Sequence, residues 1–248
     1  MFGTITLATS KGGVGKSTLA RSLAAHWLMT GHKPALVDAD PQRTIASRHN
    51  PDGPLGPVPM VAEPEERVAD AIAELRRTRV PVIVDTAGFR NRTTIAALVA
   101  TDLTLIPLKP AVEDIDGAVA TYRLIQEVNQ TEERAGRPIR AVMILAMTSH
   151  GTVISRHVRQ ELAAAGYPLL IAEMFQRVAY PEAGIGGLSP AIVEPEGAAA
   201  RDIAAIAQEI MALESPEAMI CGSNEIMKSE FPKARRKGRA ASPRSWRA

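Results

Sequence analysis

Nine residues, Ser10-Lys11-Gly12-Gly13-Val14-Gly15-Lys16-Ser17-Thr18, constrain this chain more than any other stretch of it. They follow a short β-branched run that starts at Thr4 and lead directly into a helical pattern over residues 16–30. Three glycines within four positions let the backbone turn tightly and aim successive N–H groups inward. That makes an anion nest at the N-terminus of the helix, where the helix dipole also favours negative charge. A loop of this kind is entered from a strand and left through a helix, so the chain is expected to be α/β.

The rest of the chain agrees. Apolar runs suited to strands recur at Thr4–Thr9, Pro34–Asp38, Val80–Asp85, Leu103–Pro107 and Ile139–Ala146, with a weaker one near Leu169–Ala172. Helical patterns fill the intervals at Lys16–Thr30, Glu65–Arg79, Arg92–Ala100, Asp114–Asn129, Ile154–Ala165 and Ala198–Leu213. Strand, helix, strand in succession predicts a doubly wound, mostly parallel sheet with helices on both faces. The proline-rich stretch Asn50–Pro64 reads as an irregular connection within that fold. A chain of 248 residues, 46% of them hydrophobic, can bury a single core without a disulfide or metal.

Charge divides the chain in two. Residues 214–248 hold eight Lys and Arg against four Glu, leaving 21 basic and 23 acidic side chains in residues 1–213. The overall +2 therefore combines a slightly acidic body with a basic tail. Two units are expected: a folded domain over 1–213 and a tail over 214–248 too polar to fold alone, hence disordered. Cys221 is the only cysteine, which fits a reducing cytoplasm and forbids an intrachain disulfide. No secretory signal is visible, and no uncharged apolar run approaches the roughly 18 residues of a membrane span, so integral membrane association is not expected.

The segment from Ser10 fits G-x-x-x-x-G-K-[ST], the phosphate-binding loop of P-loop NTPases, except that Ser10 replaces the first glycine and Lys11 adds a second lysine. By the roles of those positions, Lys16 reaches the β and γ phosphates of ATP and the Ser17 hydroxyl holds Mg²⁺, within a nucleotide-binding set of Lys11, Gly12, Gly13, Val14, Gly15, Lys16, Ser17 and Thr18. The K-G-G-x-G-K-[ST]-T arrangement resembles the deviant Walker A motif of the ParA/MinD family of ATPases. In that resemblance Lys11 crosses to the partner subunit's nucleotide, so ATP is sandwiched in a homodimer.

Two further segments resemble motifs of the same family. Ala35-Leu36-Val37-Asp38-Ala39-Asp40-Pro41-Gln42 is an apolar strand ending in D-x-D-P-Q. The resemblance makes Asp40 the residue that positions the attacking water and Asp38 a support for Mg²⁺ or its water shell. Val80-Pro81-Val82-Ile83-Val84-Asp85-Thr86-Ala87-Gly88 has the Walker B form, with Asp85 expected to bind Mg²⁺ through a water and Gly88 letting the next loop approach the γ-phosphate. Lys11, Lys16 and Asp40 form the expected catalytic set, and Ser17, Asp38 and Asp85 the metal set. Carboxylates suit both jobs, being anionic at neutral pH with free lone pairs.

Fainter similarity continues through Leu105-Ile106-Pro107-Leu108-Lys109-Pro110. It reaches Phe175–Ala183, where Arg177 and Glu182-Ala183 match the family's segment beside the base and the dimer face. Met143, Met147 and Met174 read as packing, and the five histidines have no metal-site spacing. The family resemblance implies a cytoplasmic, nucleoid-associated ATPase. It would bind non-specific DNA as an ATP dimer and hydrolyse ATP under a ParB-like or other adaptor to segregate a plasmid or chromosome. Positioning of another cargo and MinD-like action at a membrane are the alternatives. A dimer-bridging iron–sulfur cluster, as in the family's redox branch, requires two cysteines per subunit. The basic tail has three readings: an arm for DNA phosphates, an anionic-membrane contact, or a solubilising extension.

Overall fold

The computed structural model describes residues 1–65, 67–88 and 91–214, so the expected tail, apart from Glu214, and Cys221 lie outside the described residues. Seven strands form one sheet: β1 (Thr4–Leu7), β2 (Ala35–Ala39), β3 (Met60–Ala62), β4 (Val82–Thr86), β5 (Leu103–Leu108), β6 (Arg140–Thr148) and β7 (Met174–Phe175). Their order is β3-β2-β4-β1-β5-β6-β7, and every pairing between them is parallel. Among the described residues eight α-helices accompany them: α1 (Lys16–Met29), α2 (Val68–Arg76), α3 (Arg92–Val99), α4 (Val112–Asn129), α5 (Val153–Ala164), α6 (Ala179–Ile185), α7 (Pro190–Val193) and α8 (Ala198–Ala212).

The central strands are apolar on both sides because both faces are covered. Successive residues point to opposite faces, and the two sets pack into different clusters. Leu36, Ile83, Leu105 and Ile144 join Leu19, Leu23 and Trp27 of α1 and Ile203, Ile206 and Ile210 of α8. On the other face Val37, Val82 and Val84 meet Val68 and Ile72 of α2, while Ile106, Met143 and Leu145 meet Ile125 of α4 and Val158 of α5. The doubly wound α/β architecture expected from the sequence is thus the observed one. No described helix is long and apolar enough to cross a membrane.

Two local expectations need correction, and two short helices lie where none is expected. The stretch Asn50–Pro64 is not wholly irregular: its last part forms β3, paired to β2 through Leu36↔Met60, Val37↔Val61 and Asp38↔Ala62. Three edge residues give too short an alternation to be seen as a strand. The last strand is Met174–Phe175 rather than Leu169–Ala172, of which Leu169 makes only an isolated bridge to Met143. Finally, α6 and α7 occupy a stretch broken by Pro181, Gly184, Gly186, Gly187 and Pro190, whose breakers hide helices of seven and four residues.

Candidate functional site

Parallel strands bring their carboxyl ends to one edge, and that edge collects the three motifs. The register sets Leu7 of β1 beside Asp85 of β4, and Asp85 beside Asp38 of β2. From β1 the chain enters the glycine loop, in which Gly13 and Gly15 have φ of 70° and 91°. A β-carbon is strained in that region, so only glycine follows this path freely. Gly15 caps α1, whose first residues are Lys16, Ser17 and Thr18. A side chain on Gly15 would also strike Met174 of β7, its Cβ falling 2.6 Å from the methionine methyl. Met174 is buried against the loop as packing, whereas Met147, at the end of β6, is 37% exposed and held at φ 54°.

Within the loop the two lysines are treated differently. Lys16 is 7% exposed and its Nζ donates to the Lys11 carbonyl at 3.3 Å. Burial lowers its pKa, opposed by the charges of Asp85 and Asp40. The Lys11 side chain is exposed. Two glycines that contact the loop set its surroundings. A Cβ on Gly88 would lie 3.1 Å from the Gly12 nitrogen, and one on Gly117 of α4 would lie 2.6 Å from Ser10 Oγ and 3.1 Å from Lys11 Cγ. Gly88 was expected from its place after the Walker B strand. Gly117, a glycine inside a helix, carried no motif signal, and its near contact with the loop is what explains it.

The three carboxylates also diverge. Asp38 is fully buried and spent on backbone: Oδ1 accepts from Asp40 N–H at 3.2 Å, and Oδ2 accepts from Ile45 N–H and Ala46 N–H, each at 2.9 Å. It therefore shapes the loop that carries Asp40. Asp40 is half-buried and closes a local turn by accepting from Gln42 N–H at 2.9 Å. Asp85 is fully buried, no backbone N–H reaches either oxygen, and the Ser17 hydroxyl lies beside it without completing a well-formed hydrogen bond. Burial pushes its pKa up to about 7, against the opposing pull of the Ser17 hydroxyl and the Lys16 charge, with Asp38 and Asp40 pushing it higher.

An orphaned carboxylate beside a hydroxyl and a lysine fits a hard divalent cation, which takes oxygen ligands and supplies the missing charge. Ser17 and Asp85 could hold it. Among the described residues no group of three or more His, Cys, Asp or Glu could hold a metal by itself. Ligation here would therefore use the hydroxyl, one carboxylate and bound phosphate oxygens, the usual economy of Mg²⁺ sites.

Residues 5–190 match the CobQ/CobB/MinD/ParA nucleotide binding domain. The chain belongs to this family. It is a P-loop ATPase of the MinD/ParA kind. The protein ParA of Rhizobium radiobacter is 28% identical over 185 residues, 71% of this chain and 79% of that one. The maintenance of carboxysome distribution protein A of Halothiobacillus neapolitanus is 24% identical over 204 residues, 80% of this chain and 91% of its own length. Among solved structures, the septum site-determining protein MinD of Pyrococcus horikoshii, complexed with Mg-ADP, superposes with a TM-score of 0.65 at 13% identity. That match covers 90% of this chain and 99% of the other.

The segment resembling the family's base-side stretch has its own arrangement. The Arg177 guanidinium is clamped by Asp202 of α8, Nε donating to Oδ2 at 2.6 Å and a terminal nitrogen to Oδ1 at 2.9 Å. Phe175 stacks on His150 with ring centroids 3.7 Å apart. Arg177 is thus committed to α8. The His150–Phe175 pair had no motif to reveal it, because its members are 25 residues apart and meet only where β7 joins β6.

Proposed function

We propose that this ATPase binds ATP with Mg²⁺, closes a homodimer around the nucleotide, binds non-specific DNA and hydrolyses ATP to segregate a plasmid or chromosome. The observation that carries the reading is the contrast between the loop's lysines: Lys16 is turned inward, while Lys11 leaves its side chain outside the protomer's own core. A cation exposed on a phosphate loop is placed to serve a nucleotide held by a second copy. Lys16 and the loop N–H groups would bind the phosphates, and Ser17 and Asp85 would hold Mg²⁺. Asp38 would set the loop from which Asp40 orients a water. The metal would supply neutralisation of the phosphate charge, and the lysines the remaining electrostatic stabilisation of the transferred phosphoryl group. The Mg-ADP complex of the MinD structure supports the choice of ligand.

A second reading, positioning of another cargo, is favoured by the similarity to a carboxysome distribution protein. Both readings use the same nucleotide switch and adaptor-stimulated turnover in a cytoplasmic, nucleoid-associated protein. They part at the cargo. The test is a DNA-shift assay with ATP, ADP and no nucleotide, paired with sizing of the Asp40→Ala protein in ATP. ATP-dependent dimer and ATP-dependent DNA retention are expected. DNA binding indifferent to nucleotide, or a monomer under all conditions, overturns the switch. Flotation with liposomes in ATP tests the MinD-like alternative.

A further inference from the structure

Between the end of β1 and the start of α1 the phosphate loop is tied down at few points. Ala8 N–H still donates to the Leu105 carbonyl of β5 at 3.1 Å, and at the far end Leu19 N–H donates to the Gly15 carbonyl at 2.8 Å. Between these, among the described residues, the backbone of residues 11–14 makes no hydrogen bond to other main chain. A glycine-rich segment held so sparsely has many conformations open to it. What fixes its first residue is a side chain from another element.

That side chain is Thr121 of α4, which is 6% exposed. Its Oγ1 accepts from Ser10 N–H at 3.2 Å and donates to the Gly117 carbonyl at 2.8 Å, four residues back in the same helix. Donation to Gly117 uses the only hydroxyl proton and leaves the lone pairs to Ser10, so the helix itself settles which way the hydroxyl serves the loop. Ser10 directly precedes Lys11. One turn away on the same face of α4, the bare backbone of Gly117 admits Ser10 Oγ and Lys11 Cγ where a β-carbon would lie 2.6 and 3.1 Å from them.

The helix that carries this support is itself firmly set. Ile115, Ala118, Leu124 and Ile125 are buried in the cluster beneath β5 and β6, and Asn129 at its end exchanges two hydrogen bonds with Ile139, at 3.0 and 2.7 Å. The two lysines of the loop depend on it unequally. Lys16 is the first residue of α1 and is placed by its own helix. Lys11 stands in the sparsely held part, and its root is fixed through Ser10.

We propose that Thr121 is a positioning residue for Lys11: by holding Ser10 it sets the point from which the exposed lysine reaches a nucleotide held by a second copy. The proposal rests on the homodimer reading above. A long flexible side chain transmits any shift of its root to the ammonium, and a misplacement of about 1 Å in a group that acts on the reacting phosphate costs on the order of a hundredfold in rate. Valine keeps the branched shape of threonine and offers no acceptor, so Thr121→Val removes the tie. Thr121→Ser keeps it.

The test is ATP turnover by the full chain with Mg²⁺ and without DNA, beside calorimetric titration with Mg-ADP, which reads the phosphate contacts of Lys16 and the loop N–H groups. Thr121→Val is expected to lower kcat about tenfold or more, with KM and Mg-ADP affinity close to the parent's. Thr121→Ser should keep the parent's kcat. Hydrogen exchange at the Ser10 amide should quicken in Thr121→Val and stay parental in Thr121→Ser. If the valine protein does not fold, Thr121→Ala removes the same hydroxyl with less bulk and carries the same expectations. Lys11→Ala is the reference for complete loss of that lysine. Parental kcat in Thr121→Val while Lys11→Ala is impaired overturns the inference and leaves the role of Lys11 standing. Equal losses in the valine and serine variants overturn it as well, and so does a loss of Mg-ADP affinity as large as the loss of turnover, which would assign Thr121 to the whole loop. Parental turnover in Lys11→Ala removes the reading of Lys11 together with this inference.

Discussion

Asp38 and Asp85 stand opposite each other on adjacent strands, both fully buried, yet Asp38 accepts three backbone N–H groups and Asp85 accepts none. One carboxylate is solvated by the protein itself. The other is left for something the protein must bind.

That asymmetry sets a pH dependence in the nucleotide-free, metal-free chain. A carboxyl raised from 3.8 to about 7 binds more protons folded than unfolded over that interval, so stability falls as pH rises from about 4 to 7 and stays low above it. The cost above pH 7 is at most about 4 kcal/mol. Asp85→Asn should remove it, melting several degrees higher than the parent at pH 8 and about equally at pH 4, while losing ATP turnover. Thermal melts at the two pH values check this. An Asp85→Asn protein that melts lower at pH 8 contradicts it.

Asp38→Ala should behave in the opposite way. It strands the N–H groups of Ile45 and Ala46, and each unsatisfied donor costs about 1–3 kcal/mol. A lower midpoint in urea unfolding is expected, together with faster hydrogen exchange at Ile45 and Ala46. If unfolding is unchanged, the carboxylate is not what holds that loop.

Substitution at Gly117 tests the packing behind the second lysine. A β-carbon there pushes on Ser10 and Lys11 from α4, so Gly117→Ala should weaken nucleotide binding severalfold even though helix propensity alone favours alanine by about 1 kcal/mol. Calorimetric titration with ATP and Mg²⁺, beside a melt of the free protein, separates the two effects. Tighter binding by the alanine variant is the contrary result.

Arg177→Ala breaks the two-pronged pair with Asp202, a charge-assisted contact worth about 1–3 kcal/mol. Stability should drop by that order with nucleotide affinity nearly unchanged, since the guanidinium is held by α8. A large loss of ATP affinity at unchanged stability would instead assign Arg177 to the base.

The parts of this design that are local in sequence were legible in it. The glycine loop announces itself because its strand, turn and helix are contiguous, and Asp38, Asp40 and Asp85 each end an apolar run that only a covered central strand explains. What was not legible depends on the tertiary arrangement. Edge strand β3 is too short for periodicity, and α6 and α7 are masked by glycines and prolines. Nothing in the text of the chain distinguishes a carboxylate met by N–H groups from one met by none. Gly117 and the His150–Phe175 stack become meaningful only when distant elements close on them.

The strand order has a consequence for how the protein is made. β4 lies between β1 and β2, so residues 1–40 emerge from the ribosome carrying the glycine loop and two of the acids with no strand able to join them. The junction closes only after residue 86 has been synthesised, and its contacts span 47 residues from Asp38 to Asp85 and 78 from Leu7 to Asp85. Such long loops close late in folding. Nascent chains shorter than that have no assembled site with which to sequester cellular nucleotide. A bound nucleotide then stabilises only chains whose central sheet is complete.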